Sequence, residues 1–147
     1  MIQLHHVALS VADLERAIDW YGDALDMRPT VRATLPGFRL AMLEAPNGMR
    51  IEVFEAEGAS RTTDSSTPTT VMRHHGFTHL ALDVDELLPV HDRLVAIGAT
   101  SVWDPRPSPE PGKAMAYVQD PEGNLIELIG PLTDAITAAH PREQVPH

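Results

Sequence analysis

The chain has 147 residues, enough for one domain with its own hydrophobic core, and its 43% hydrophobic and 22% charged content is that of a globular protein rather than a disordered or fibrous one. A formal net charge of −10, from 21 acidic against 11 basic residues, repels phosphate backbones and anionic lipid, so neither nucleic acid nor membrane is expected as a partner. The absence of cysteine excludes a disulfide framework, a zinc–thiolate site and a thiol nucleophile together, which leaves His, Asp and Glu to hold any metal.

The first residues lack a basic region followed by a long apolar run, and no stretch is apolar enough to span a bilayer, so a cytoplasmic protein is expected. Leu4 to Val11 alternates and predicts a half-buried strand. Asp13 then caps a helix to about Leu25, with Leu14, Ala17, Ile18, Tyr21 and Leu25 at helical spacing. Strands follow near Val31, at Phe38–Glu44 and at Met49–Glu55, the last two joined by Pro46-Asn47-Gly48. Residues 57–75 are rich in Ser and Thr and predict an exposed linker.

The order then repeats. Phe77–Val84 predicts a strand, Asp85 caps a helix through Ile97, and Gly98 stops it. Strands near Ser101–Trp103, Lys113–Gln119 and Leu125–Ile129 follow, the last pair joined by Asp120-Pro121-Glu122-Gly123-Asn124. His6-Val7-Ala8-Leu9 matches His79-Leu80-Ala81-Leu82 at an offset of 73, and Ile51-Glu52 matches Ile126-Glu127 at an offset of 75. One domain over residues 1–130 therefore consists of two βαβββ modules, at about 2–56 and 76–130. A tail, 131–147, begins with a short helix and frays from Pro141.

Alternation along the strands sorts the side chains by face. Val7, Leu9 and Val11 share the face suited to a helix, opposite His6, Ala8 and Ser10; Leu80, Leu82 and Val84 lie likewise opposite His79, Ala81 and Asp83. Glu52 and Glu127 each stand in an apolar strand, pointing away from the helix face, where a carboxylate is costly unless paired or bound to a cation. Modules that curl toward each other would bring His6, Glu52, His79 and Glu127 into one cavity around a divalent ion. The other histidines do not share this repeat, so His5, His74, His75, His91, His140 and His147 are assigned solvent or packing roles.

The segments from His6 to Tyr21 and from Asp120 to Ile129 resemble the vicinal oxygen chelate superfamily, the glyoxalase, bleomycin-resistance and extradiol-dioxygenase group, over about residues 2 to 130. Asp26 departs from the family's habit of ending the first helix with glycine, and Pro105 to Gly112, with four prolines, makes an unusual loop. The resemblance implies an α+β fold whose paired modules form an eight-stranded, U-shaped mixed sheet around a metal. It maps the ligands onto His6, Glu52, His79 and Glu127.

The implied function is a divalent-metal-dependent lyase or isomerase, glyoxalase- or epimerase-like, acting on a small carbonyl or thioester substrate through a metal-bound enolate. Ni, Co, Zn or Mn suits that chemistry. Glu127 is the first choice of base and Glu52 the second catalytic carboxylate. One alternative is an extradiol ring-cleaving dioxygenase with Fe(II) on His6, His79 and Glu127; there Glu52 would be surplus. Another is a non-catalytic small-molecule-binding resistance protein, whose members generally lack the ligands. Arg39, Arg50 and Lys113 are candidates for anionic groups of a substrate. Open sheet edges and the frequency of C2 assemblies predict a homodimer.

Overall fold

The computed structural model describes residues 1–141 and divides into two compact units, Met1–Thr62 and a second beginning at Thr63. The first holds β1 (Val7–Ser10), α1 (Leu14–Leu25), β2 (Arg28–Leu35), β3 (Phe38–Glu44) and β4 (Arg50–Ala56). Its sheet runs β1-β4-β3-β2, with β1 parallel to β4 and the other pairs antiparallel.

Local chemistry sets the bounds of α1. Asp13 accepts the Arg16 N–H at 3.0 Å, satisfying one of the amides that a helix start leaves open. Asp26 ends the helix at φ 53°, a left-handed conformation that Asp tolerates better than most residues, so the missing glycine changes only the residue that makes the stop. Leu14, Ala17, Ile18, Tyr21 and Ala24 are buried, as are Ala41, Leu43, Ile51 and Val53 of the sheet. The Val7–Ile51 and Leu9–Val53 register puts the apolar members of β1 and β4 side by side under the helix.

The second unit holds α2 (Pro68–Val71), β5 (Leu80–Asp83), α3 (Leu87–Ala96), β6 (Thr100–Pro107), β7 (Lys113–Gln119), β8 (Leu125–Pro131) and α4 (Asp134–Ala139). Its sheet repeats the first, β5-β8-β7-β6, with β5 parallel to β8. The fold is thus α+β with two tandem modules, its eight strands divided equally between two four-stranded mixed sheets.

Several elements differ in extent from their sequence reading. Both leading strands are shorter, and His6 and His79 lie just before them. Helix α3 takes Glu86 rather than Asp85 at its N-cap, with no side-chain hydrogen bond there; Gly98 follows its end at φ 106°. Strand β6 continues through Pro105 and Pro107 into the proline-rich stretch. Being at the sheet edge and bulged between Trp103 and Arg106, it tolerates residues that cannot donate to a ladder.

The stretch 57–75 is not uniformly exposed: Ser65, Pro68 and Val71 are buried. Val71 packs with Tyr117 and Leu125, and Ser65 is tied to the β7–β8 turn through Gly123 O and the Gln119 amide. The expected fraying of the tail falls almost wholly outside the described residues. No helix among those described is long and apolar enough to cross a membrane.

Candidate functional site

Each unit brings one predicted His–Glu pair together. In the first, His6 Nε2 lies 3.1 Å from Glu52 Oε2; in the second, His79 Nε2 lies 3.0 Å from Glu127 Oε2. The carboxylates are the more withdrawn, at 18% and 15% side-chain exposure, against 32% and 26% for the imidazoles, which leaves the ring edges accessible. Parallel register sets Ala8 beside Glu52 and Ala81 beside Glu127, so a methyl group is all that stands next to each carboxylate on β1 and β5. Within neither unit do three or more His, Asp or Glu side chains among the described residues gather as a metal-holding group.

The pairs fit a divalent ion by donor type and spacing. Ligand bonds of about 2.1 Å meeting at a right angle put adjacent donor atoms about 3 Å apart, which is the Nε2–Oε2 separation in both units. In each unit an imidazole and a carboxylate are donors that suit a borderline divalent ion, and no thiolate competes.

The far nitrogens of the two histidines meet different neighbours. His79 Nδ1 is 2.9 Å from Thr78 Oγ1, a hydroxyl able to donate or accept as the imidazole requires. His6 Nδ1 is 2.8 Å from His5 Nδ1, and His5 Nε2 faces Arg50 Nη1 at 3.1 Å. Arginine only donates, so a neutral His5 accepts at Nε2 and donates from Nδ1 to His6. A neutral His6 then carries its proton on Nε2, toward Glu52. Sequence reasoning assigned His5 a bland role and missed this contact; its only sequence signal is adjacency to His6.

The second unit surrounds its glutamate with aromatic rings. Tyr117 stands opposite Glu127 in the β7–β8 ladder. Burial, then the carboxylate, push the phenol's pKa well above its ordinary value, so the proton stays on Tyr117. The Tyr117 ring meets His79 and Trp103 edge-on, at 5.3 and 5.4 Å between centroids, and Arg106 lies 5.2 Å over Trp103. In the first unit the residue opposite Glu52 is Met42, which has no hydrogen to donate.

The basic candidates all have partners within their own units. Arg39 bonds Glu55 at 2.8 Å, Arg50 bonds Glu44 at 2.9 Å, and Lys113 reaches Asp83 at 3.4 Å. His91 is a buried packing residue whose Nε2 meets Ser101 Oγ at 2.9 Å, and His140 Nε2 donates to Pro105 O. His147 lies outside the described residues.

Two repeated modules, each with a histidine before its first strand and a glutamate in its last, define the class of paired βαβββ proteins. The profile of the Glyoxalase/Bleomycin resistance protein/Dioxygenase superfamily matches residues 3–128, and the chain belongs to that family. It is 29% identical over 132 residues to a "Probable lactoylglutathione lyase" of Synechocystis sp., covering 86% of this chain and 93% of the relative. It is 28% identical to a lactoylglutathione lyase of Haemophilus influenzae, covering 87% and 92%. In structure it is similar to a glyoxylase/bleomycin resistance protein/dioxygenase domain from Frankia sp. EAN1pec, with a TM-score of 0.72 at 23% identity, over 90% of this chain and 99% of that one.

Proposed function

We propose that the chain is a divalent-metal-dependent lyase of the glyoxalase type, with His6, Glu52, His79 and Glu127 as its protein ligands. The observation that carries this reading is the duplicated His–Glu pair, 3.1 and 3.0 Å apart at matching positions of two sheets. A single such pair is an ordinary hydrogen bond. Its repetition beside Ala8 and Ala81, on the face turned from each helix, is what packing alone would not require. The lactoylglutathione lyase relatives favour a thioester-forming lyase over an epimerase and point to glutathione adducts as the substrate class.

When bound, the ion supplies Lewis-acid stabilisation of negative charge developing on a substrate oxygen. The chain's own residues do the rest. His79 would present the lone pair of Nε2, oriented by Thr78 through Nδ1, whereas His6 would present its Nε2 only after the proton that faces Glu52 has left that nitrogen. Glu127 removes the proton from the carbon beside the substrate carbonyl, taking it on a carboxylate oxygen. Glu52 serves as the second carboxylate. Arg39, Arg50 and Lys113 are not assigned to substrate, because each already meets a carboxylate of its own unit.

The test is protein purified without added metal, analysed for metal content and then assayed with Ni, Co, Zn or Mn for conversion of a glutathione–dicarbonyl adduct to its thioester. Metal-stimulated turnover supports the reading. Absence of turnover with every ion, or consumption of oxygen with a catechol, overturns it.

A further inference from the structure

The face of each sheet that carries the glutamate runs across the ladder to an edge strand through corresponding positions filled by different residues. In the first unit the row is Glu52, Met42 and Val31; in the second it is Glu127, Tyr117 and Trp103. The next row on that face ends at Ala33 in the first unit, opposite Leu40, and at Arg106 in the second, opposite Met115. We propose that Arg106, seated on Trp103, is a specificity-determining residue of the second unit that takes a substrate carboxylate remote from the reacting carbon. This inference rests on the glyoxalase-type reading above, and it makes the two units unequal toward the substrate.

A local irregularity aims the guanidinium. Residues three apart in a regular strand face opposite sides, so Trp103 and Arg106 would part. Strand β6 is bulged between them: Trp103 pairs with Tyr117 and Arg106 with Met115, which returns Arg106 to the face of Trp103. The guanidinium accordingly lies 5.2 Å over the Trp103 ring, and its Nε donates to Asp104 O at 3.2 Å. Both side chains are half-buried.

The bulge is braced on both sides. Ser101 Oγ donates to Asp104 Oδ1 at 2.6 Å and meets His91 Nε2 at 2.9 Å, while His140 Nε2 donates to Pro105 O at 2.9 Å. Pro105 and Pro107 restrict the backbone on either side of Arg106. An arginine so fixed has less freedom to lose on binding, and its planar fork suits a carboxylate. A chain of net charge −10 repels an anionic substrate at long range, so a cation held on the same face as Glu127 is the complement that such a substrate needs.

The experiment measures, by calorimetry, the binding of S-methylglutathione and of its diethyl ester to the full chain, in wild type and in Arg106→Met. Turnover of a glutathione–dicarbonyl adduct is followed beside it with metal added. Methionine keeps an unbranched side chain near Trp103 and removes the charge. Wild type is expected to bind S-methylglutathione about tenfold or more tightly than the ester, the scale of a charge-assisted hydrogen bond. In Arg106→Met that acid–ester difference should shrink about tenfold. KM for the adduct should rise about tenfold with kcat within about twofold, as when binding shared by ground and transition states is lost. An undiminished acid–ester difference in Arg106→Met overturns the role of Arg106, as does S-methylglutathione affinity within about twofold of wild type. Metal-stimulated turnover in the same preparation would then leave the glyoxalase-type reading standing. Wild-type protein that turns over no adduct with any ion overturns that reading itself, before any variant is made.

Discussion

The backbone N–H of Leu14, the first residue of α1, donates to Glu55 Oε2 at 2.7 Å, fastening the start of the helix to the end of β4. Arg39, on the neighbouring β3, reaches both oxygens of the same carboxylate, at 2.9 and 2.8 Å. The Leu14 amide first, then Arg39, hold the Glu55 pKa below the ordinary carboxylate value. A depressed folded-state pKa contributes stability that is present above the unfolded value and lost as pH falls through the folded one. Glu55→Gln is therefore expected to lower the melting temperature at neutral pH, with the gap to wild type closing as pH is lowered through and below the usual glutamate range. Thermal melts across that range check it; a gap independent of pH would contradict the assignment.

Asp120 does comparable work in the second unit. It is 3% exposed, and its Oδ1 accepts the N–H groups of Glu122 and Asn124 at 2.9 and 2.8 Å while Oδ2 takes the Asn124 amide at 2.9 Å. The turn so fixed delivers β8 into register beside β5, which places Glu127 next to Ala81. Asp120→Ala leaves backbone donors without their acceptor and is expected to cost about 1–3 kcal/mol. Denaturant unfolding measures it, and a loss under about 0.5 kcal/mol, the scale of an ordinary surface change, would refute it.

Much of this is legible in the sequence. The duplicated His-x-Ala-Leu and Ile-Glu sequences gave the modules, the faces and the four candidate ligands, because strand alternation is a local rule. The family match covers the fold and not the ligand roles. Cross-strand partners were hidden, since nothing in the sequence near Tyr117 says that it stands opposite Glu127 in the ladder. The contact of exposed His5 with His6 was hidden for a related reason: face alternation sets His5 apart from His6, but it lies outside any strand, where alternation no longer governs direction. The composition of 57–75 suggested exposure, yet Pro68 and Val71 of α2 are buried, Val71 against Tyr117 and Leu125.

Metal content is the next expectation: about one divalent ion per chain, held by both His–Glu pairs. Glu52→Ala and His79→Ala should each weaken binding strongly, because removing either member of a pair leaves its neighbour a lone donor. Elemental analysis after dialysis reads the outcome. Full occupancy in the His6→Ala/His79→Ala double variant would remove these residues from the site.

The two carboxylates should also separate kinetically. Glu127→Gln keeps the size of the side chain, but an amide cannot take a proton from carbon. The expected loss in kcat is about 10²- to 10⁴-fold, the usual range for a missing general base. Glu52→Gln, next to Met42 rather than a phenol, should cost less. Overall rates alone would not distinguish a lost base from a lost ligand, so the measurement is exchange of the substrate α-proton with deuterated water in the presence of metal. Wild type should wash deuterium in, Glu52→Gln should retain much of that exchange at saturating metal, and Glu127→Gln should abolish it even where metal content is restored. The reverse order would make Glu52 the base. Equal loss from both would mean that neither carboxylate acts alone.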